Sequence, residues 1–238
     1  MELKLDLHIH SDLSCDGRMT VREIVDAATL VGLDGVAVCD HDALSPEAGE
    51  LPEGFVYVRG EEFSTEYGHL LGLFLTGPVA ARDFDGIVRE IRAQGGLAVL
   101  AHPFERCTHP ERFAPVADKL DGVEVKNGRA NRKNRRANDM AAEFAEKHGL
   151  PAFAGSDAHL PREIGNCFVT VEVEELTAEA VKAALLRPGN KTDGKDGRQT
   201  DVARSQWTKL RKTGGGFKKR LKWLAFAVKC AAGDLFRK

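Results

Sequence analysis

Long hydrophobic runs are missing from this sequence of 238 residues, and their absence excludes several classes of protein. There is no uninterrupted apolar stretch of about 18 residues, the length at which a membrane-spanning helix is indicated. The first ten residues, MELKLDLHIH, lack both the basic segment and the long apolar segment of a secretory signal peptide. The sequence therefore predicts a cytoplasmic protein.

Cysteine is scarce, and its spacing is not that of a disulfide-rich or thiolate-ligated protein. The five cysteines are odd in number, and no two of them have CxxC spacing. This pattern argues against a disulfide framework and against a zinc site built from thiolates. A metal site in this chain would therefore use histidine and carboxylate side chains.

The first 187 residues alternate short β-like runs with helical patterns, which is typical of parallel β/α units. Thr20 and Glu23 form a predicted capping box that opens the first helix, and Gly149 ends a later one. Length and composition suit one large α/β domain over residues 1–187. Residues 188–203, PGNKTDGKDGRQTDVA, have the composition of a linker.

A net charge of −2 hides two parts of opposite sign. Residues 204–238 contain eleven Lys or Arg and one acidic residue, whereas residues 1–203 contain 23 basic and 35 acidic residues. This part predicts a basic amphipathic helical extension. Its apolar stripe consists of Phe217, Leu221, Leu224, Val228 and Leu235, among the cations Lys218, Lys219, Arg220, Lys222 and Lys229. Three interpretations stay open: the stripe packs on the domain, it lies on an anionic membrane surface, or the helix contacts nucleic acid.

Histidines and carboxylates recur where the predicted strands end. His8 and His10 end the first strand, and His41 ends the second between two aspartates. The rest of the set comprises Glu61 and Glu62 at the third strand, His69 at the start of the fourth, His102 after the fifth, and Asp157 and His159 after the seventh. Because βα loops converge at the carboxyl ends of parallel strands, we expect six of the eight histidines at one mouth.

Metal binding is the chemistry that this set of side chains favours. Imidazole nitrogens and carboxylate oxygens bind first-row divalent ions, and an HxH pair on a strand places both rings on the same face. An HxH pair alone is commonly an ordinary exposed pair, so the whole set carries the prediction. Its size exceeds one tetrahedral site, so we expect two to three divalent ions, with manganese, iron and zinc all compatible.

The polar segments resemble, in the same order, the motifs of the PHP (polymerase and histidinol phosphatase) domain family. They are DLHIHSDLSCDG, GLDGVAVCDHDAL, GEEFST followed by HLLGLF, LAVLAHP, GVEVKNGR, and AGSDAH followed by EIG. The resemblance covers residues 3 to about 187 and is greatest to the stand-alone metal-dependent phosphoesterases of the family. It implies a distorted seven-stranded (β/α)7 barrel of PHP type.

The same resemblance implies a trinuclear metal site, with every ligand at a position of this chain that matches a family motif. The first ion is expected on His8, His10, Glu62 and Asp157, the second on Glu62, His69 and His102, and the third on Asp16, His41 and His159.

The function we expect is hydrolysis of a phosphate monoester of a small metabolite or nucleotide by a metal-activated hydroxide. Asp42 or His159 is the candidate proton donor to the leaving oxygen. Basic and amide side chains predicted to bind the substrate phosphate are Arg18, Lys126, Asn127, Arg129 and Arg132, with Arg129 also counted as catalytic. The alternatives are a nuclease acting on RNA or DNA ends, a non-catalytic metal-binding regulatory module, and amide or ester hydrolysis. The sequence indicates no particular oligomeric state.

Overall fold

A computed structural model describes residues 1–236 as one nine-stranded sheet surrounded by helices. The strands lie in the order β7-β6-β5-β4-β3-β2-β1-β8-β9. Their bounds are β1 (Glu2–Ile9), β2 (Gly35–His41), β3 (Val56–Thr65), β4 (Gly68–Leu73), β5 (Leu97–Leu100), β6 (Gly122–Asn127), β7 (Ala152–Gly155), β8 (Cys167–Glu172) and β9 (Lys191–Gly194). The helices are α1 (Val21–Leu30), α2 (Phe84–Ala93), α3 (Ala137–His148), α4 (Ala178–Leu185), α5 (Gln199–Thr213) and α6 (Phe217–Leu235).

The sheet curls into a nearly closed barrel. The first half of β1 pairs antiparallel with β8, from Glu2 opposite Glu172 to Leu5 opposite Val169. The other end of β1 meets the segment after β7, where His10 N donates to Ala158 O at 2.8 Å. The prediction of a distorted barrel is confirmed. The sheet has nine strands rather than seven because β8 and β9 extend it beyond β1.

Four neighbouring strand pairs are parallel, namely β1/β2, β2/β3, β5/β6 and β6/β7, and β4 runs antiparallel to both of its neighbours. In the β3/β4 hairpin, Ser64 pairs with His69. A residue at the start of an antiparallel strand therefore lies at the same edge as residues at the ends of the parallel strands. This places His69 at the mouth of the barrel.

Local sequence signals set the ends of several helices. The Thr20 side chain accepts from Glu23 N, and the Glu23 carboxylate accepts from Thr20 N, so the predicted capping box that opens α1 is present. Gly149 ends α3 with φ of +64°, a conformation that glycine adopts without steric cost. Both predicted helix ends are confirmed.

Alternation along β1 separates the apolar core from the polar mouth. Leu3, Leu5 and Leu7 are buried in one apolar cluster. Successive strand residues point to opposite faces, so His8 and His10 share the other face. The strand thus carries the HxH pair on a rigid, buried support.

Residues 188–203, expected to be a linker, contain β9 and the start of α5. β9 pairs antiparallel with β8, from Cys167 opposite Gly194 to Thr170 opposite Lys191. An exposed edge strand carries the same polar residue types as a linker, and this is why composition did not distinguish the two.

α5 and α6 form a helical hairpin at the end of the described chain. The rings of Trp207 and Trp223 lie 4.5 Å apart, and Trp223 Nε1 donates to Ala203 O at 2.7 Å. The Asp234 carboxylate accepts from Gln199 N and Thr200 N, so it caps the start of α5. The predicted helical extension is therefore present, and α6 packs on α5.

The face of α6 that packs inward is not the predicted stripe. Trp223, Phe226 and Cys230 turn toward α5 and the barrel, whereas all five stripe residues are between 53% and 81% exposed. The interpretation that this stripe packs on the domain is wrong, because the aromatic side chains on the opposite face fill that contact. Within residues 1–236 no helix has the combination of length and apolarity that crossing a bilayer requires.

Candidate metal centre

Glu62 lies at the centre of the histidine cluster. It stands near the end of β3, and its carboxylate is 1% exposed. Oε1 lies 2.7 Å from His69 Nδ1 and 3.0 Å from His102 Nε2. Oε2 lies 2.6 Å from His41 Nδ1 without the alignment of a hydrogen bond. One carboxylate therefore faces imidazoles from three separate segments.

The HxH pair closes the buried side of this cluster. His8 Nε2 and His10 Nε2 lie 3.1 Å apart, and they lie 3.5 and 3.6 Å from the two oxygens of Glu62. His10 Nε2 is also 3.4 Å from Asp157 Oδ1. Ring nitrogens directed at one another across so short a gap have the arrangement of ligands that share a cation.

Asp16 joins the outer side of the cluster. Its Oδ1 lies 3.5 Å from His41 Nε2 and 3.4 Å from His159 Nε2. With this contact the structure brings all nine predicted metal ligands into one cluster. Glu61 stands apart, because neighbouring residues of a strand face opposite ways.

Three groups of side chains could each hold a metal ion, because within each group the donor atoms lie within 4.8 Å of one another. They are His8, Glu62 and His102; His8, His10 and Asp157; and His10, His41 and His159. His8 and His10 each belong to two groups. Imidazoles and carboxylates of this kind suit manganese, iron or zinc. Because there are three such groups, the residues fit the binding of two or more ions at once.

The charge balance of the cluster supports the same fit. Burial raises the pKa of Glu62, but the facing imidazoles of His69 and His8 outweigh it and hold that pKa well below its usual value. Burial likewise raises the pKa of Asp157, and His8 and His10 lower it by more. Both carboxylates are therefore ionised in the interior, where their charge needs cations beside it.

His10 and His8 differ in their electrostatic surroundings. Burial, together with the neighbouring His159 and His41, lowers the pKa of His10 well below its ordinary value, which keeps the ring in its neutral, ligating form. Burial also lowers the pKa of His8, but Glu124 and Glu62 raise it by more, to well above the ordinary value. The buried carboxylates of the cluster need positive charge beside them, and either protons on the imidazoles or bound metal ions supply it.

Glu124 supports the cluster, and sequence reasoning missed it. It is buried on β6; Oε1 lies 3.1 Å from His8 Nδ1, and Oε2 accepts from His102 N at 2.9 Å. A carboxylate on the second ring nitrogen fixes the tautomer and orientation of a metal-binding histidine. The sequence did carry a signal for this role, because a charged residue stands between the two valines of the buried strand GVEVK.

Asp40 organises the loop that follows β1. It accepts from the backbone N and the hydroxyl of both Ser11 and Ser14, and the Ser14 hydroxyl lies 3.2 Å from His10 Nδ1. Asp40 therefore positions His10 through Ser14.

Backbone strain concentrates at the mouth. Four residues other than glycine have positive φ within residues 1–236, and three of them lie here: Asp42 (+49°), His102 (+26°) and Asp157 (+55°). Such conformations cost about 1–3 kcal/mol each and persist where the surrounding structure imposes them. Gly155 is needed nearby, because a Cβ at this position would collide with the Cβ of His8.

The predicted phosphate-binding residues are not brought together. Arg129 is largely buried, and its guanidinium donates to both oxygens of Glu163 at 2.9 and 2.7 Å. Asn127 is buried and its Oδ1 accepts from Arg129 N and Ala130 N. Both residues therefore hold the loop after β6.

The other three predicted phosphate-binding residues lie on separate surfaces. Arg132 lies 3.6 Å from Glu105 and over the ring of Phe226. Arg18 lines a cleft beside α5, and Lys126 is half-buried on β6. Sequence reasoning missed Arg106 and Arg112, which line a pocket of about 290 Å³ together with His69 and His102. Each of these arginines directly follows a glutamate, the pattern of an ordinary surface ion pair, so the sequence carried no distinct signal.

The two candidate proton donors differ in setting. The Asp42 side chain is exposed, and its carboxylate accepts from Ser64 N at 2.9 Å and from the Ser64 hydroxyl at 3.1 Å. His159 is 3% exposed and lies within a potential ligand group. Its Nδ1 faces Asp157 O at 2.9 Å.

Comparison with known proteins identifies the family. Residues 6–100 match the model of the PHP domain, and residues 135–188 match the model described as PHP-associated. The uncharacterized protein MJ0417 of Methanocaldococcus jannaschii is 31% identical over 176 residues, which are 70% of this chain and 70% of that protein. The chain belongs to the PHP domain family. The prediction of a PHP-type enzyme is confirmed.

Solved structures share the PHP fold. A two-domain protein from Bacteroides vulgatus, containing a predicted PHP-like metal-dependent phosphoesterase, has a TM-score of 0.66 at 21% identity, covering 87% of this chain and 70% of that one. The lesion-specific endonuclease PfuEndoQ of Pyrococcus furiosus has a TM-score of 0.59 at 22% identity, covering 84% of this chain and 60% of that one. At these identities the likeness establishes the shared fold.

Proposed function

We propose that this PHP-domain protein is a metal-dependent phosphatase that hydrolyses a phosphate monoester of a small metabolite or nucleotide. The observation that supports this most directly is the convergence of five histidines on the buried carboxylate of Glu62, with His159, Asp16 and Asp157 beside them. The proposed site holds two to three divalent ions, of manganese, iron or zinc. When bound, such ions lower the pKa of a water molecule and offset negative charge on phosphoryl oxygens.

Residues of the chain would then bind the phosphate, position His159 and protonate the leaving oxygen. Arg106 and Arg112 in the pocket beside His69 and His102 would bind the phosphate, since a guanidinium meets two phosphoryl oxygens at once. Arg129 would act as a positioning residue: its partner Glu163 also accepts from His159 N at 3.1 Å. Asp42 would protonate the leaving oxygen, because its side chain is exposed and lies outside the ligand groups.

Phosphate release from a substrate panel tests the proposal. The panel comprises mononucleotides, nucleoside bisphosphates, histidinol phosphate and short RNA, with manganese present. We expect chelation to abolish activity, and His10→Ala, Glu62→Ala and Asp157→Ala each to lower it at least ~100-fold. His109→Ala is the control, because the His109 side chain is 74% exposed and belongs to none of the three potential ligand groups. Full activity in metal-free protein, or an equal loss in His109→Ala, would contradict the proposal.

Asp42→Asn tests the proton donor separately. We expect kcat to fall roughly 100-fold or more for a substrate with a poor leaving group, and much less for an aryl phosphate that needs no protonation. Metal content should stay unchanged. Equal losses on both substrates would remove Asp42 from this role.

A second candidate function, a nuclease acting on the ends of RNA or DNA, is favoured by one specific observation. A cleft of about 550 Å³ separates the loops after β5 and β6 from the α5–α6 hairpin, and we term it the cationic cleft. Its charged lining consists of Arg106, Arg132, Lys133, Lys209, Lys219 and Lys222. Arg106 also lines the pocket beside His69 and His102, so an extended polyanion could run from one into the other.

The pair of variants Lys209→Gln and Lys219→Gln separates the two functions. If the chain is a nuclease, kcat/KM for an oligonucleotide should fall roughly tenfold or more while kcat/KM for a mononucleotide is retained. If the chain is a phosphatase of small substrates, neither value should change. Lys147→Gln on the remote helix α3 controls for the loss of one positive charge.

A further inference from the structure

The outward face of α6 is apolar along its whole length and lies in solvent. Phe217, Leu221, Leu224, Val228 and Leu235 are 81%, 57%, 53%, 63% and 80% exposed, and Phe236 directly after the helix is 87% exposed. With 3.6 residues per turn, the first five project from one side, opposite Trp223, Phe226 and Cys230. An exposed apolar strip of this extent marks a surface that contacts something other than water.

Positive charge borders this apolar face on both flanks. Lys218, Lys222 and Lys229 fall on one flank of the helix, and Arg220 falls on the other. Asp234, the one acidic residue of α6, points inward and caps α5. The solvent-facing side of the helix therefore presents apolar and cationic groups alone, which complements an anionic surface with an apolar interior.

α6 is already folded as a helix before any partner binds, because its contacts with α5 hold it in place. The contact of Trp223 with Trp207, the bond of Trp223 to Ala203 O and the Asp234 cap fix its inward side. A free amphipathic peptide must fold when it binds, whereas this helix is already ordered on its protein support. Its association therefore avoids that entropic cost.

We propose that α6 docks this protein on the surface of an anionic lipid bilayer. The helix lies in the plane of the interface, its apolar face enters the boundary between headgroups and acyl chains, and the flanking lysines and arginine contact lipid phosphates.

Two other occupants fit the surface less well. In a pair of α6 helices from two copies, cationic flanks would lie side by side in either orientation, since both flanks are basic. A nucleic acid would be served by the cationic cleft, which Trp223 and Phe226 line, and would leave the aliphatic stripe on the opposite side of α6 in water.

Vesicle co-sedimentation of the full chain tests the proposal. We expect binding to vesicles of phosphatidylglycerol and phosphatidylcholine in equal amounts, and little binding to phosphatidylcholine alone. Raising NaCl from about 50 mM to about 500 mM should weaken this binding without abolishing it, because the apolar contribution is not screened.

Two sets of variants separate the apolar and the electrostatic contributions. The combination Leu221→Ser, Leu224→Ser and Val228→Ser should weaken vesicle affinity about 100-fold or more. Lys218→Gln with Lys229→Gln should weaken it roughly tenfold. Leu30→Ser is the matched control, because Leu30 is 87% exposed on α1. In Leu224→Trp, the fluorescence of the new residue should shift to the blue when vesicles are added.

The opposing outcomes are distinct. No sedimentation with anionic vesicles, or equal sedimentation of the triple serine variant, overturns the proposal. Stripe-dependent self-association in sedimentation velocity without vesicle binding would assign the face to a second copy of the chain. Stripe-dependent binding of short RNA without vesicle binding would assign it to nucleic acid. None of these outcomes depends on phosphatase activity.

Discussion

At the scale of single residues, carboxylates that do not belong to the predicted ligand set shape the metal centre. Glu124 holds the ring of His8 and the backbone of His102, and Asp40 holds Ser14, which in turn faces His10. The predicted ligands are thus oriented by partners on β2 and β6. The geometry of the centre depends on these partners as well as on the ligands.

Glu124→Gln tests this dependence. We expect metal affinity to fall about 10–100-fold, because the amide no longer holds His8 in one tautomer with a full negative charge. Isothermal titration of the apo protein with manganese measures the change. Glu111→Gln, at a site that is 75% exposed, is the control and should retain its affinity. Unchanged affinity in Glu124→Gln would show that the orientation of His8 is set by packing alone.

The sequence predicted the ligands of the candidate site better than their supports. Histidines at strand ends are conspicuous, because six of eight fall where parallel strands place functional side chains. Glu124 and Glu163 stand inside short apolar or turn segments, and their roles depend on contacts with residues far along the chain. The positions of the substrate arginines likewise follow from how loops pack, and so Arg129 became a buried partner of Glu163.

At the scale of elements, Lys212 ties α5 to the loop that carries Asp16. Its ammonium donates to the carbonyl oxygens of Asp12, Ser14 and Gly17 at 2.6, 2.9 and 2.9 Å. One cation therefore binds three backbone acceptors in a loop with no regular secondary structure. Together with the hydrogen bond from Arg129 Nη1 to Ser205 Oγ, this contact links the helical hairpin directly to the loops of the metal centre.

Lys212→Met should loosen that loop. Hydrogen bonds to a charged donor contribute about 1.5–3 kcal/mol, so we expect faster amide exchange over residues 11–17 and unchanged exchange in β2 and β3. Hydrogen–deuterium exchange with mass spectrometry measures both. Lys147→Met, at an exposed position of α3, is the control. Identical exchange in the two variants would mean that the other hydrogen bonds of the loop hold it without Lys212.

Asp6 joins β1 to two loops and gives a second prediction for elements. Its carboxylate accepts from Ser156 N at 2.8 Å and from Gly165 N at 2.9 Å, and it is fully buried. Asp6→Asn would direct an amide NH₂ group at a backbone donor, so we expect the free energy of unfolding to fall by about 1–3 kcal/mol. Urea denaturation measures this. Asp26→Asn on the surface of α1 should have little effect, and equal midpoints for the two variants would contradict the argument.

Elements whose ends are set locally were predicted correctly, and those set by distant contacts were not. The capping box of α1 and the glycine after α3 are decided by neighbours within a few residues. The antiparallel course of β4 and the existence of β9 depend on pairing with strands elsewhere in the sheet. In α6, the stripe and the inward face are both apolar, so periodicity alone could not say which one packs.

At the scale of the whole molecule, ion binding and folding stability should be linked. Glu62 and Asp157 place ionised carboxylates in the interior, and cations that bind the folded state alone stabilise it. At a metal concentration of 100 times Kd, the gain is about 2.7 kcal/mol for one site.

We therefore expect chelation to lower Tm by roughly 5–10 °C for a domain of this size, and manganese to restore it. Differential scanning calorimetry, with metal content measured in the same samples, provides the readout. Glu62→Gln should abolish most of the metal-dependent gain. A Tm that stays constant while the metal is removed would show that the folded cluster is balanced by protons instead.

The link made by Lys212 also has a consequence for the order of events during synthesis. The loop after β1 leaves the ribosome well before the ammonium of Lys212, which lies 195 to 200 residues further along the chain. At about 5–20 residues per second, that interval is on the order of 10–40 s. Throughout this time the loop that carries Asp16 has Asp40 available as a partner but lacks the contact with Lys212. Asp16, which precedes most of the other ligands in the chain, is thus held by its full set of contacts only after α5 has been made, so we expect translation to delay this part of the metal centre.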